Sequence, residues 1–389
     1  MSSSDVPSSD APDASENNAV TQSVMQKLTH SLLTKTTKKR KNTDGDDPQE
    51  EETYKSYGRH LVRTCGPFER IHVIAEHGVR EALRDEDKEP PHHNTKEQQL
   101  HKRLEKSWSI ITETIPGFRE DMIQLGGNRR LRKKVCQEIQ AGVDAARGDD
   151  TSKMKTAAID WLMKIQDPSV PIPSADIPDR HKKAGRGFNN ALTAEVLRPM
   201  EYPALDETYE KIKAGDKLFS TNGKIPAFLY PKDHIYNEHD IEDKVLEGPL
   251  PIAAAKQIYQ GPSAALQAPG YHRGRAGNAA RNGQDALGAR DVAYVCTQLY
   301  CSLSSLSNWA ANDGNFSYED FYWAIADLFE DGEGQDIIDN FNYHVFGTPS
   351  LSSAAQPADL PAALSGFDLV AAQRAAKRAR LATGPSSAS

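Results

Sequence analysis

The stretch DGNFSYEDFYWAIADLF, residues 313–329, sets acidic and amide side chains beside a glycine, as a calcium-binding loop does. Such a loop needs oxygen ligands at positions 1, 3 and 5, a glycine at 6 and a bidentate carboxylate at 12. With Gly314 at position 6, Asp313 falls at 5, but Trp309 falls at 1, Ala311 at 3 and Asp320 at 12. Two ligand positions then carry carbon side chains. A frame starting at Asp327 puts Phe329 at 3 and Ile338 at 12, which is no better. The residues fit a capped helix instead. Ser317 is the N-cap, and Asp320 is placed to reach back to its backbone N–H. Tyr318, Phe321, Tyr322, Ile325, Leu328 and Phe329 then share one core-facing stripe.

Other chemistry leaves as little trace. His92-His93 and His101 read as part of a polar linker, with no cysteine or carboxylate at zinc-site spacing. His234 and His239 are five apart, so on a helix they diverge by about 140°. Cys296 and Cys301 diverge in the same way and neither bridge nor chelate together. There is no G-x-S-x-G elbow, and Gly261-Pro262-Ser263 has no identifiable base. No phosphate-binding G-x-x-x-x-G-K-[ST] occurs, and GRGFNN (185–190) lacks the third glycine of a dinucleotide fingerprint. These readings assign no catalytic residue, no metal and no cofactor. A site assembled from distant segments would escape them.

Two basic features address anions. Arg129, Arg130, Arg132, Lys133 and Lys134 follow Asn128, a natural N-cap. Cations there oppose the helix dipole by about 0.3–1 kcal/mol each, which an anionic partner would relieve. The glycine-rich loop 270–283 carries Arg273, Arg275 and Arg281. Against a general DNA binder stand the formal charge of −8 and a sequence pI near 5.9. Two further clusters, Lys38-Lys39-Arg40-Lys41 and Lys377-Arg378-Ala379-Arg380, are short runs of the kind a nuclear import receptor reads.

The elements that must position these residues are helical. The chain has 389 residues, of which 38% are hydrophobic, a low share that reflects its polar ends. Residues 1–53 and 348–389 read as disordered tails, each carrying one basic cluster. Between them a mainly α, irregular multi-helix domain is expected, divisible into a helical part at 54–166, a proline-rich connector at 167–184 and a second helical part at 185–347. Helices are expected on both sides of Gly66-Pro67, over Leu100–Ile111, around Leu131–Ile139 and over Thr151–Ile165. Further helices are expected over Ile241–Tyr259 with a kink at Gly248–Pro251, and near Asp285–Leu306, Tyr318–Phe329 and Asp336–Phe346. Lys224–Tyr230 reads as an extended piece. The polar, acidic start is not a secretory signal, and no apolar run is long enough to span a bilayer. Four scattered cysteines fit a reducing compartment, so the nucleus, or otherwise the cytoplasm, is the expected location.

The ordered segments YGRHLVRTCGPF (57–68), ARGDDTSKMKTAAIDWL (146–162), GRGFNN (185–190), IPAFLY (225–230), RAGNAA (275–280) and DVAYVCTQLYCSLSS (291–305) resemble a family of uncharacterised proteins of mushroom-forming fungi, a domain of unknown function, over about residues 54–347. The resemblance implies no activity, ligand or catalytic residue. The Arg129–Lys134 cluster is more basic than the family resemblance implies there. The expected function is a non-catalytic nuclear interaction module that binds protein or nucleic acid. The alternatives are an enzyme with a spatially assembled site and a mobile-element-associated protein.

Overall fold

The computed structural model describes residues 14–33, 53–84, 95–166, 168–271, 277–314, 316–329, 332–348 and 366–382. The fold is mainly α, and among the described residues strands amount to one two-residue hairpin. The chain forms two compact units, 1–147 and 148–389, and the boundary falls inside a single helix.

The first unit holds α1 (Ala14–Leu33), α2 (Tyr54–Thr64), α3 (Ile71–Ala82), α4 (Thr95–Thr114), α5 (Phe118–Gln124) and the opening of α6 (Arg129–Lys164). Thr53 starts α2 through a capping box with Ser56. Gly117, at φ 71°, turns the chain from α4 into α5. Leu61, Val62, Ile74, Ile111, Met122, Val135 and Ile139 are shielded from solvent and form the core. The two helices expected around 131–139 and 151–165 are one continuous helix. Gly142 and Gly148 lower helix propensity by about 1 kcal/mol each, and packing overrides that cost.

The second unit is organised around α11 (Ala289–Leu303), whose residues from Arg290 to Leu303 are all buried. A helix apolar on every side belongs in a core. The remainder of α6, α7 (Ala191–Leu197), α8 (Asp206–Lys213), α9 (Pro249–Tyr259) and α10 (Asn278–Arg281) precede it. The hairpin β1 (Asn312–Asp313) and β2 (Phe316–Ser317), then α12 (Tyr318–Asp327) and α13 (Gln335–Phe346), follow it. Residues 241–247 are turns rather than helix. Proline is tolerated only in a first turn, so α9 begins at Pro249. The piece at 224–230 is a bridge at Pro226 followed by a 3₁₀ turn, because proline cannot donate to a ladder.

The stretch that mimics a calcium loop is the β1–β2 turn and the start of α12. Ser317 caps that helix, its Oγ accepting from the Asp320 N–H at 3.1 Å. The reciprocal bond falls elsewhere, with the Ser317 N–H reaching Asn222 Oδ1 at 3.4 Å. Composition hides two helices in the terminal stretches. The helix α1 buries Val24 and Leu28, and its Lys27 pairs with Asp121 at 2.9 Å. The last helix, α14 (Gly366–Ala382), buries Phe367 and Val370, and Arg374 Nε meets Glu242 at 2.7 Å. The proline-rich residues described between 168 and 184 lie within the second unit.

Candidate functional site

The opening of α6 is built by Asn128. Its Oδ1 accepts from the Leu131 N–H at 3.1 Å, and its carbonyl accepts from the N–H groups of Leu131 and Arg132. The cap thus starts the helix at Arg129. Leu131 and Val135, four apart, turn into the core. That phase leaves Arg129, Arg130, Lys133 and Lys134 exposed and Arg132 half-buried. Among the described residues none of the five makes an ion pair. By sequence, residues 1–147 carry as many basic as acidic side chains, so the net −8 belongs to 148–389.

Arg281 is exposed at the end of α10, while Arg273 and Arg275 lie outside the described residues. Lys38, Lys39, Arg40 and Lys41 also lie outside them. Lys377, Arg378 and Arg380 sit on α14, where Arg378 pairs with Glu333 at 2.7 Å. The side chains of Lys377 and Arg380 are outside the described residues.

The second unit contains a cleft of about 350 Å³, lined among others by Asn189, Thr221, Tyr300, Ser304, Ser305 and Asp313. Tyr300 stacks on Phe316 at 3.9 Å, and the Tyr318 hydroxyl lies 2.9 Å from Ser304 Oγ. Close by, Lys183 is buried and donates to Cys301 Sγ at 3.6 Å. Burial lowers the Lys183 ammonium and raises both the Cys301 thiol and the Asp313 carboxyl, while Lys183 acts in the opposite sense on those two. A thiol held up by burial is a poor nucleophile. The cleft lining itself presents hydroxyl, amide and carboxyl side chains.

The histidines are placed differently from their sequence reading. His234 stacks on Tyr230 at 4.7 Å, and His239 lies 3.7 Å from Glu238. His92 and His93 lie outside the described residues. His101 belongs to α4 rather than to a linker, and its ring lies 4.8 Å from that of His77 on α3. His77 went unnoticed because its partner His101 is 24 residues away in sequence. A signal was present all the same: H-x-x-x-E occurs at His77–Glu81 and again at His101–Glu105.

Comparison with known families matches residues 141–346 to the family of unknown function DUF6698. The chain belongs to that family. The DUF6698 match takes in the second unit's cleft and the core helix α11, and it begins after Arg129–Lys134 and the α3–α4 pair. No curated protein and no solved structure matches the chain.

Proposed function

We propose that this protein is a non-catalytic nuclear interaction module that takes nucleic acid on the opening turns of α6. The carrying observation is the set of five cations on an Asn128-capped helix start, four of them exposed and none ion-paired among the described residues. Phosphates on that surface would relieve both the repulsion within the cluster and its opposition to the dipole. Nucleic acid is the proposed anion because it offers several phosphates to one compact cluster of cations. The cleft adds support to a binding role, since its lining presents hydroxyl and amide side chains such as Asn189, Thr221 and Ser304.

The test is binding of the full-length chain to a short DNA duplex and to heparin across a salt series. A variant with Arg129, Arg130, Arg132, Lys133 and Lys134 all changed to Gln is measured beside it. The logarithm of affinity is expected to fall with the logarithm of salt, and the variant's slope to be shallower by about 0.9 for each phosphate it no longer neutralises. Both proteins carry the same tails, so their contribution cancels. Equal slopes would remove nucleic acid from this face.

Import rests on the two basic clusters near the ends. The N-terminal run Lys38–Lys41 is expected to be the stronger signal, because Arg378 in the other is held by Glu333. A fluorescent fusion changed to Gln at Lys38, Lys39, Arg40 and Lys41 should shift from nucleus to cytoplasm, and a fusion that stays nuclear would defeat this part.

A further inference from the structure

The three side chains His77, Glu81 and His101 each offer one ligand atom, and these atoms all lie within 4.8 Å of one another. Their convergence follows from the helices. His77 and Glu81 are four apart on α3 and share a face. Gly78 then lets α3 approach α4 closely: a Cβ at that position would sit 2.0 Å from the Trp108 ring. Trp108 and His101 are seven apart on α4 and so lie on one side of it. The same close approach that seats Trp108 against Gly78 brings His101 to His77.

A second feature points at a ligand. His77 is only 4% exposed, and its Nε2 has no hydrogen-bond partner. Its Nδ1 lies 3.2 Å from Arg80 Nη2, and a guanidinium only donates, so Nδ1 accepts. Nε2 is then a buried polar atom left without a partner, a cost of about 1–3 kcal/mol in an ordinary core.

We infer that His77, Glu81 and His101 bind a divalent transition ion of the zinc class, joining α3 to α4. Two imidazoles and one carboxylate, without a thiolate, suit zinc and its late first-row neighbours and leave a fourth position for water. Ligands of a tetrahedral zinc stand about 3.4 Å apart, so closing the site takes about 1.4 Å of side-chain adjustment. Glu81 and His101 are half-buried and can make it. Glu105 stands 4.0 Å from His101 Nε2, beyond hydrogen-bond reach, and adds negative charge beside the cluster. Two cations compete: Arg84 pairs with Glu81 at 2.5 Å, and Arg80 lies 3.9 Å from it. Glu81 and Glu105 offset their charge. Arg80, 72% exposed, can turn into solvent as the His77 proton moves to Nδ1.

The test strips the full-length chain with chelator and titrates it with zinc chloride against a chromophoric competitor at neutral pH. One zinc per chain is expected, with affinity reduced roughly tenfold or more in His101→Gln and in Glu81→Gln. A chain changed at His92 and His93 should bind like the parent. Cobalt in place of zinc should give d–d bands without sulfur charge transfer, which separates this site from any cysteine site. Both single variants alter half-buried residues, and circular dichroism verifies that they fold. Absence of zinc uptake by the parent chain, or undiminished uptake by folded His101→Gln, would overturn the site.

Discussion

Gly58→Ala is expected to destabilise the protein sharply, although alanine is the better helix former. The helices α2 and α6 cross with a glycine from each at the crossing point. A Cβ at position 58 would stand 2.0 Å from the Ile139 carbonyl oxygen, and one at 142 would stand 2.1 Å from the Lys55 oxygen. Both obstacles are backbone, so no rotamer change relieves them, and the helices must part by more than about 1 Å to reach even a close C···O approach. Overpacking of this kind costs about 1–3 kcal/mol, and a backbone clash belongs at the upper end. Gly148→Ala is the control. It makes the same chemical change on the same α6, but nothing lies within 4 Å of the added Cβ. There the propensity gain of about 1 kcal/mol stands alone. Urea unfolding should therefore show midpoints moving in opposite directions for the two variants. A Gly58→Ala chain as stable as the parent would mean that α2 and α6 do not approach this closely.

The helical character of the chain was legible because apolar residues recur at helical spacing over long runs. Ser317 and Asn128 were legible as caps because capping is local chemistry. What escaped depends on partners far away in sequence. Gly142 reads as a weak point in a helix, and only its packing against α2 shows why α6 continues through it. The terminal helix α1 is polar and α14 is alanine-rich and basic, and their few large apolar residues count only once a surface is there to receive them. Of the candidate sites, the basic face was visible because its five residues fall within six positions. The His77–Glu81–His101 cluster was not, since its members come from two helices. The cleft draws on residues from 187 to 316, and no local pattern encodes it.

Arg186 shows how a motif that looks like chemistry can be structural. Within GRGFNN its guanidinium is 0% exposed, yet no ion pair with a carboxylate is found among the described residues. Its donors reach carbonyls instead: Asp179 at 3.2 and 2.8 Å, Arg180 at 2.9 Å, Lys155 at 2.8 Å and Ser302 at 2.6 Å. One side chain thereby ties the residue 179–180 turn, α6 and the end of α11. The following residues continue the lock. Gly187 adopts φ 65°, and Asn190 caps α7 through the N–H groups of Leu192 and Thr193. Arg186→Met would remove the buried charge but leave four carbonyls facing a side chain that cannot donate. Each orphaned acceptor costs about 1–3 kcal/mol, and because they relax together a total loss of about 3–5 kcal/mol is expected. Arg186→Lys should recover little of it. An ammonium is a compact point charge with three donors and cannot span carbonyls arranged for a planar fork. Thermal unfolding of both variants, followed by circular dichroism, measures this. Large losses in both would make GRGFNN a structural lock within the family-matched region. An Arg186→Lys chain as stable as the parent would show that the fork is not what holds these segments.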